Sequence, residues 1–355
     1  MKVMIAGGGT GGHVFPALAV AEELRRRDTR NEIVFAGTEQ GLEARLVPAA
    51  GFPLRTLPAS GLKGVSAGAK LKSLALLPVS LRRSRRLLKE FEPDVVFGVG
   101  GYASGATMLA AALGGRPTVL FEPNAEPGLA NRVLAPFVRA AAVTHEQAAA
   151  RLGRKAVVTG SPVRAEFFQA RPKEHKPPFA LLIFGGSRGA LALNQAVVDA
   201  LDALQKSGLA LRYVHQTGER DHTSVRMAYA RRGINAEVLP FINDMPARLA
   251  AADLVICRAG ASSVAELCAA GRAAILVPFP QATDQHQLRN AEVLASAGAA
   301  RLLEQPQLTG ERLAAEVAGL LRQPERLAEI GAAARRLARP DAAARIADLI
   351  ESVAR

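Results

Sequence analysis

The chain has 355 residues, 49% of them hydrophobic, a net charge of +13 and two cysteines, Cys257 and Cys268. That length exceeds one ordinary core and predicts two domains, while the composition excludes a disordered chain and a disulfide-built fold. No apolar run reaches the roughly 18–20 uncharged residues of a spanning helix, and no signal-peptide pattern precedes the first strand.

A strand over residues 2–6 runs into Gly7-Gly8-Gly9-Thr10-Gly11-Gly12-His13, and a helix over 14–27 follows. Further strands read at 32–36, 94–99, 118–121, 140–143 and 156–158. The first turn matches the dinucleotide spacing G-x-G-x-x-G, but that use needs an acidic residue closing the second strand. Here that strand ends Phe35-Ala36-Gly37-Thr38, with Glu39 and Glu43 only later. The run of glycines therefore reads as an anion site built from backbone N–H groups, with a bare structural turn as the alternative. His13, at the helix start, either caps the turn or accepts a proton near neutral pH. Gly98-Val99-Gly100-Gly101-Tyr102 is another glycine-rich strand end, predicted either to form a second wall of the same pocket or to be plain punctuation of the sheet. Phe121-Glu122-Pro123-Asn124 leaves a strand at the same carboxyl edge.

Between Glu43 and Glu90 ten basic residues stand with no acidic one. Within this stretch, residues 70–91 place Leu74, Leu77, Leu81 and Leu88 among Arg82, Arg83, Arg85, Arg86 and Lys89. The pattern fits either a solvated helix or an interfacial helix whose apolar flank enters lipid headgroups. Few aromatic residues and no reader motif argue against nucleic acid.

A proline-rich stretch over 171–178 precedes a fresh strand at 180–184, which runs into Gly185-Gly186-Ser187-Arg188-Gly189-Ala190. Strands at 211–216, 236–240, 254–257 and 274–277 follow. Short continuous apolar strands separated by helices imply parallel sheets covered on both faces, so two doubly wound α/β domains. Glu266, among small and apolar residues, fits either a solvated face or an acceptor for a sugar diol. Asp284-Gln285-His286-Gln287 reads as a polar, sugar-binding rim. Residues 342–353 form a last helix whose packing the pattern leaves open. No metal-ligand spacing and no serine-hydrolase elbow occurs.

The motifs GGTGGHVFP (8–16), GVGGYASG (98–105), GSPVR (160–164), GGSRGA (185–190), FIND (241–244), ADLVICRAGASSVAELCAAG (252–271) and DQHQLRNA (284–291) follow one another along nearly the whole chain. By them the chain resembles the MurG family, glycosyltransferases that build lipid II in bacterial peptidoglycan synthesis. The resemblance implies the GT-B fold, two doubly wound Rossmann-like domains with an inter-domain cleft. We expect an acceptor and membrane-side domain at 1–161 plus 340–355, and a UDP-GlcNAc domain at 162–339. The implied reaction moves GlcNAc from UDP-GlcNAc to the MurNAc 4-hydroxyl of lipid I (undecaprenyl-pyrophosphoryl-MurNAc-pentapeptide), with inversion. It needs no cofactor or metal and takes place on the cytoplasmic face of the plasma membrane, with cell-wall synthesis proteins as further candidate partners.

Carried over by motif, donor contacts fall on Thr10, Gly11, Gly12, Asn124, Arg164 and Ser187. The uracil would meet the backbone at Ile242, and the ribose would meet Glu266. Ala261, Ser262, Ser263, Val264 and Ala265 would lie against the diphosphate, and Gln287 would contact GlcNAc. His13 is the candidate base, assisted by Glu122, with Gly100, Gly101 and Tyr102 toward the acceptor. Two departures stand out: Arg188 where the family usually has Gln, and Phe121-Glu122-Pro123-Asn124 where it has His-Glu-Gln-Asn. The alternatives are an NAD-dependent Rossmann oxidoreductase and a basic membrane-binding scaffold.

Overall fold

The computed structural model describes residues 1–9, 11–57, 67–186 and 189–354, with the backbone alone at 67–77 and 102. Its contacts divide it into two units, Met1–Val163 with Asp341–Arg355, and Arg164–Pro340.

The first unit carries β1 (Lys2–Gly7), β2 (Glu32–Gly37), β3 (Leu54–Thr56), β4 (Val95–Gly100), β5 (Thr118–Glu122), β6 (Ala140–Val143) and β7 (Ala156–Val158). They form a parallel sheet in the order β3-β2-β1-β4-β5-β6-β7. Between them run α1 (Gly11–Arg27), α2 (Glu43–Ala49), α3 (Ala67–Phe91), α4 (Tyr102–Leu113), α5 (Leu129–Leu134) and α6 (Glu146–Leu152). Strand side chains alternate between the faces. Val3, Ile5, Phe35, Phe97 and Phe121 pack with α1 and the last helix, whereas Met4, Val34, Val96 and Leu120 pack with α3, α4 and α5.

The second unit holds β8 (Phe179–Phe184), β9 (Leu211–Gln216), β10 (Ala236–Leu239), β11 (Leu254–Cys257), β12 (Ala274–Leu276) and β13 (Arg301–Leu302). These strands are parallel in the order β10-β9-β8-β11-β12-β13. Its helices are α7 (Ala165–Phe168), α8 (Leu191–Lys206), α9 (His222–Arg231), α10 (Met245–Ala251), α11 (Ala261–Ala270), α12 (His286–Ser296), α13 (Gly310–Leu321) and α14 (Pro324–Leu337). Leu181, Ile183, Leu254, Ile256 and Ile275 meet α8 and α13 on one face.

Strand order reverses between β1 and β4 in the first sheet and between β8 and β11 in the second. At such a reversal the following helices leave toward opposite faces, and the carboxyl ends of the two strands stay uncovered. The glycine-rich strand ends noted in the sequence, at 7–9, 98–101 and 185–186, leave these strands, as does the segment 258–260 after β11.

The chain then returns: α15 (Ala342–Ala354) packs on α1 and buries Ile346, Ala347 and Ile350 in the first core. Arg27 at the end of α1 ties it down, reaching Asp348 at 2.6 Å, Glu351 at 3.1 Å and the Ala344 carbonyl at 2.8 Å. The substitution Ile350→Ala should destabilise the first unit by about 2–5 kcal/mol. A lowered urea midpoint with unchanged helix content checks this; an unmoved midpoint would mean that α15 contributes nothing there.

Candidate functional site

At the first reversal the glycine turn and the Gly100 strand end are interlocked. The His13 Nδ1 lies 3.1 Å from the Gly8 carbonyl. A carbonyl only accepts, so in the neutral ring Nδ1 carries the proton and Nε2 is the basic nitrogen. The ring lies against Gly100, where a Cβ would stand 2.9 Å from Nε2. Gly101 faces the Gly8 carbonyl, where a Cβ would come within 2.6 Å. Both glycines also have positive φ, 97° and 86°, which side chains rarely adopt. The structure therefore brings His13, Gly100 and Gly101 together.

The glycine turn itself is not an open anion cradle, which corrects the expectation from sequence. Glu43, 1% exposed, already sits in it. Its Oε2 accepts from the Gly9 N–H at 2.6 Å, and its Oε1 accepts from the Thr38 N–H at 2.9 Å and the Thr38 hydroxyl at 2.7 Å. A Cβ at Gly8 or Gly41 would collide with this carboxylate, and one at Gly37 would stand 2.7 Å from its Cγ. The surplus glycines make room for a carboxylate of the chain itself. The helix start at Gly11 and Gly12 lies beyond it; Thr10 lies outside the described residues.

Glu122 also departs from expectation. It is 1% exposed and accepts four hydrogen bonds: from the Asn124 N–H (3.0 Å) and side-chain amide (2.9 Å), the Gly128 N–H (2.9 Å) and the Asn131 amide (2.8 Å). A saturated, buried carboxylate organises the loop from 122 to 131 and does not handle an acceptor proton.

At the second reversal the arrangement is the opposite. Helices α8 and α11 begin after Ala190 and Gly260 with no side-chain cap among the described residues, so their first N–H groups face outward from the strand ends. Ala261 to Ala265 form the start of α11. Glu266, one turn further on, is half-buried, and burial pushes its carboxyl up to about 7 while the charge of Arg164 pulls it down. No hydrogen-bond donor among the described residues reaches Glu266. Arg164 stands at the N-terminus of α7, which packs on α11, with its guanidinium 5.1 Å from the Phe167 ring.

Ile242 is buried in the loop after β10. Gln287 accepts the Phe279 N–H through Oε1 at 3.0 Å, which turns its amide nitrogen away from that loop. Asp284 and Gln285 just before it both adopt φ of 52°, a backbone that costs about 1–3 kcal/mol each outside glycine. Ser187 and Arg188 lie outside the described residues, as do the side chains of Tyr102, Leu74 and Leu77.

The basic stretch is corrected in part. Arg82, Arg83, Arg85 and Arg86 are exposed, but Leu88 belongs to the core and Leu81 packs against it. This part of the apolar flank of α3 serves the unit's own interior. Both cysteines are buried and their thiols are pushed up by burial, Cys268 to about 12, so neither is a nucleophile. Among the described residues no cluster of three His, Cys, Asp or Glu could hold a metal ion, and no helix is long and apolar enough to cross a membrane.

Two parallel Rossmann-like domains, each with one reversal of strand order, are the domains of the GT-B fold. Residues 3–143 match the glycosyltransferase family 28 N-terminal domain and residues 180–346 its C-terminal domain. The UDP-N-acetylglucosamine–N-acetylmuramyl-(pentapeptide) pyrophosphoryl-undecaprenol N-acetylglucosamine transferase of Myxococcus xanthus is 48% identical, over 98% of this chain and 92% of that protein. The enzyme of the same name from Syntrophus aciditrophicus is 48% identical over 98% and 97%. The crystal structure of Acinetobacter baumannii MurG superposes with a TM-score of 0.79 at 34% identity, covering 99% of both chains. The chain belongs to the MurG family of N-acetylglucosamine transferases.

Four supporting residues were not singled out by sequence reasoning. Besides Glu43 and Asn131, buried Arg258 donates to the Val277 and Pro278 carbonyls at 3.1 Å and to Gln305 at 2.6 Å. Asn290 donates to the Ala259 carbonyl at 3.2 Å. Arg258 and Asn290 lie inside the quoted motifs at 252–271 and 284–291, whereas Glu43 and Asn131 lie outside all of them. For Glu122, replacement by Ala should cost about 1–3 kcal/mol for each donor left without a partner. Fast proteolytic cleavage within 123–131 is the expected readout; a protected loop in the variant would return Glu122 to the list of catalytic candidates.

Proposed function

We propose that the chain transfers GlcNAc from UDP-GlcNAc to the MurNAc 4-hydroxyl of a lipid-linked, pyrophosphoryl-MurNAc-pentapeptide acceptor, with inversion at the anomeric carbon. One observation carries the reading. In a chain of this family, a histidine held in one tautomer stands at one reversal, and at the other a carboxyl in the field of Arg164 stands beside helix starts with no side-chain cap among the described residues. The oxidoreductase alternative is not supported: the family is one of transferases, and the first turn's N–H is occupied by Glu43 where a dinucleotide pyrophosphate would need it.

In a single displacement the acceptor oxygen bonds to C1 as the C1–O bond to UDP breaks. The hydroxyl proton passes to His13 Nε2, and the bonding electrons leave on the β-phosphate oxygen. The helix starts of α8 and α11, with Arg164, would stabilise that growing charge, so the step needs no metal. Glu266 would accept the two ribose hydroxyls, Ile242 would offer its backbone to uracil, and Gln287 would donate to GlcNAc. On the acceptor side, the Gly11–Gly12 helix start and Gly100–Gly101 would flank the pyrophosphate.

We also assign the protein to the cytoplasmic face of the bacterial plasma membrane, held peripherally. The support is the exposed arginines of α3, joined by exposed Leu129, Val133 and Phe137 next to Arg132 and Arg139 on and after α5.

UDP release from UDP-GlcNAc should depend on the lipid-linked acceptor, and release that ignores it would sink the reading. In that assay His13→Ala should lower kcat by about 10²–10⁴ while leaving the KM for UDP-GlcNAc nearly unchanged. Near-normal turnover would remove His13 from the base role.

The raised Glu266 carboxyl gives a second test. Its ionised form accepts both ribose hydroxyls, so UDP affinity should strengthen as pH rises through about 7 and weaken below it. Calorimetry of UDP binding from pH 6 to 8 should show this limb in the parent and not in Glu266→Gln. A limb that persists in the variant belongs to another group.

A further inference from the structure

One peptide group links the imidazole and the carboxyl group at the first reversal. The Gly8 carbonyl faces His13 Nδ1 at 3.1 Å, and the N–H of the same peptide, on Gly9, donates to Glu43 Oε2 at 2.6 Å. The sequence of groups is imidazole, amide, carboxylate. An amide whose N–H meets a buried carboxylate is polarised, and its carbonyl becomes a stronger acceptor.

We propose that Glu43 is a positioning residue for the transfer, acting on His13 through the Gly8–Gly9 peptide. It does through one amide what a carboxylate does directly in a histidine–carboxylate dyad: it fixes the tautomer and ring orientation and stabilises the imidazolium formed when Nε2 takes the acceptor proton. The proposal rests on His13 being the base.

Three features set this apart from an ordinary loop brace. Glu43 opens α2, yet its side chain turns back to the carboxyl ends of β1 and β2, where Gly37 and Thr38 receive it. Glycines at 8, 37 and 41 each leave the space that a carboxylate needs and a Cβ would fill. The Thr38 N–H and hydroxyl hold Oε1, so the other oxygen is aimed at Gly9 alone among the hydrogen bonds of the described residues. The Gly8 carbonyl in turn is pressed between the His13 ring and Gly101, which leaves the peptide little freedom to rotate.

The test is Glu43→Gln, assayed for acceptor-dependent UDP release alone and in a His13→Ala background, with kcat and KM separated and kcat/KM followed against pH. The amide keeps the shape but loses the charge. We expect kcat to fall about 10–100-fold, with the KM for UDP-GlcNAc within about twofold of the parent. The acidic limb should move to lower pH by roughly half a unit, because the imidazolium loses its support. In the His13→Ala background the same change should add no further loss. An unmoved acidic limb, or an equal loss with and without His13, would overturn the proposal and leave Glu43 a brace.

If His13→Ala itself turns over normally, the base assignment has failed, and that result is distinct from either outcome for Glu43. Should Glu43→Gln not fold, Glu43→Asp withdraws the carboxylate by one methylene and is read by the same measurements. Full activity with an unshifted limb in that variant would equally overturn the proposal.

Discussion

The glycine-bearing strand ends of this chain gather where strand order reverses in two parallel sheets. Where β1 meets β4, and again where β8 meets β11, successive crossovers leave for opposite faces and the strand ends remain open. Backbone N–H groups, glycine turns and helix starts accumulate there. The two units use the opening differently. The first fills it with its own carboxylate and a histidine ring. The second, among the described residues, leaves two helix starts without a side-chain cap, near Arg164 and Glu266.

The carboxylates of the molecule sort by how far the fold satisfies them. Glu43 accepts three donors and Glu122 four. Asp253 shows the same logic in the second unit. Burial alone would raise it, but the His175 ring, the Ala180 N–H and Lys173 together hold it below the usual carboxylate range. Such groups fix loops, since each donor that they satisfy would otherwise be stranded. Glu266 is the contrast: half-buried, raised to about 7 by desolvation, and without a hydrogen-bond donor among the described residues. Among the described residues no donor offsets that desolvation, so its raised carboxyl stands apart from the saturated ones. Counting satisfied oxygens separates the two kinds where residue type cannot.

The sequence disclosed most of this framework wherever apolar runs were continuous. The strands at 140–143, 156–158, 211–216 and 254–257 have the expected bounds. Leu54–Thr56 and Arg301–Leu302 escaped because an edge strand of two or three residues, open to solvent, has no room for a period. Helix α1 starts at Gly11 rather than at 14 because tertiary contacts override the poor helix propensity of glycine. The apolar flank at Leu81 and Leu88 was legible as a flank, but a helical period does not say whether a core or a membrane receives it. Glu43 was hardest to read: its partner at Gly9 is 34 residues away, and the visible trace was only a set of glycines without a common turn.

The departure at residues 121–124 follows from the same geometry. Phe121 points away from the open edge into the core, packed near Phe97 at a ring separation of 6.5 Å on the face shared with α1 and α15. An aromatic residue there adds apolar contact and faces no ligand. Pro123 lacks an N–H, yet none of the four donors that hold Glu122 comes from residue 123; they come from Asn124, Gly128 and Asn131. Proline therefore removes nothing that the loop uses, and its fixed φ limits the unfolded alternatives of the segment. The two positions that depart from the family pattern are those where the loop makes no use of a polar side chain, and the two that keep it, Glu122 and Asn124, are the ones that hold each other.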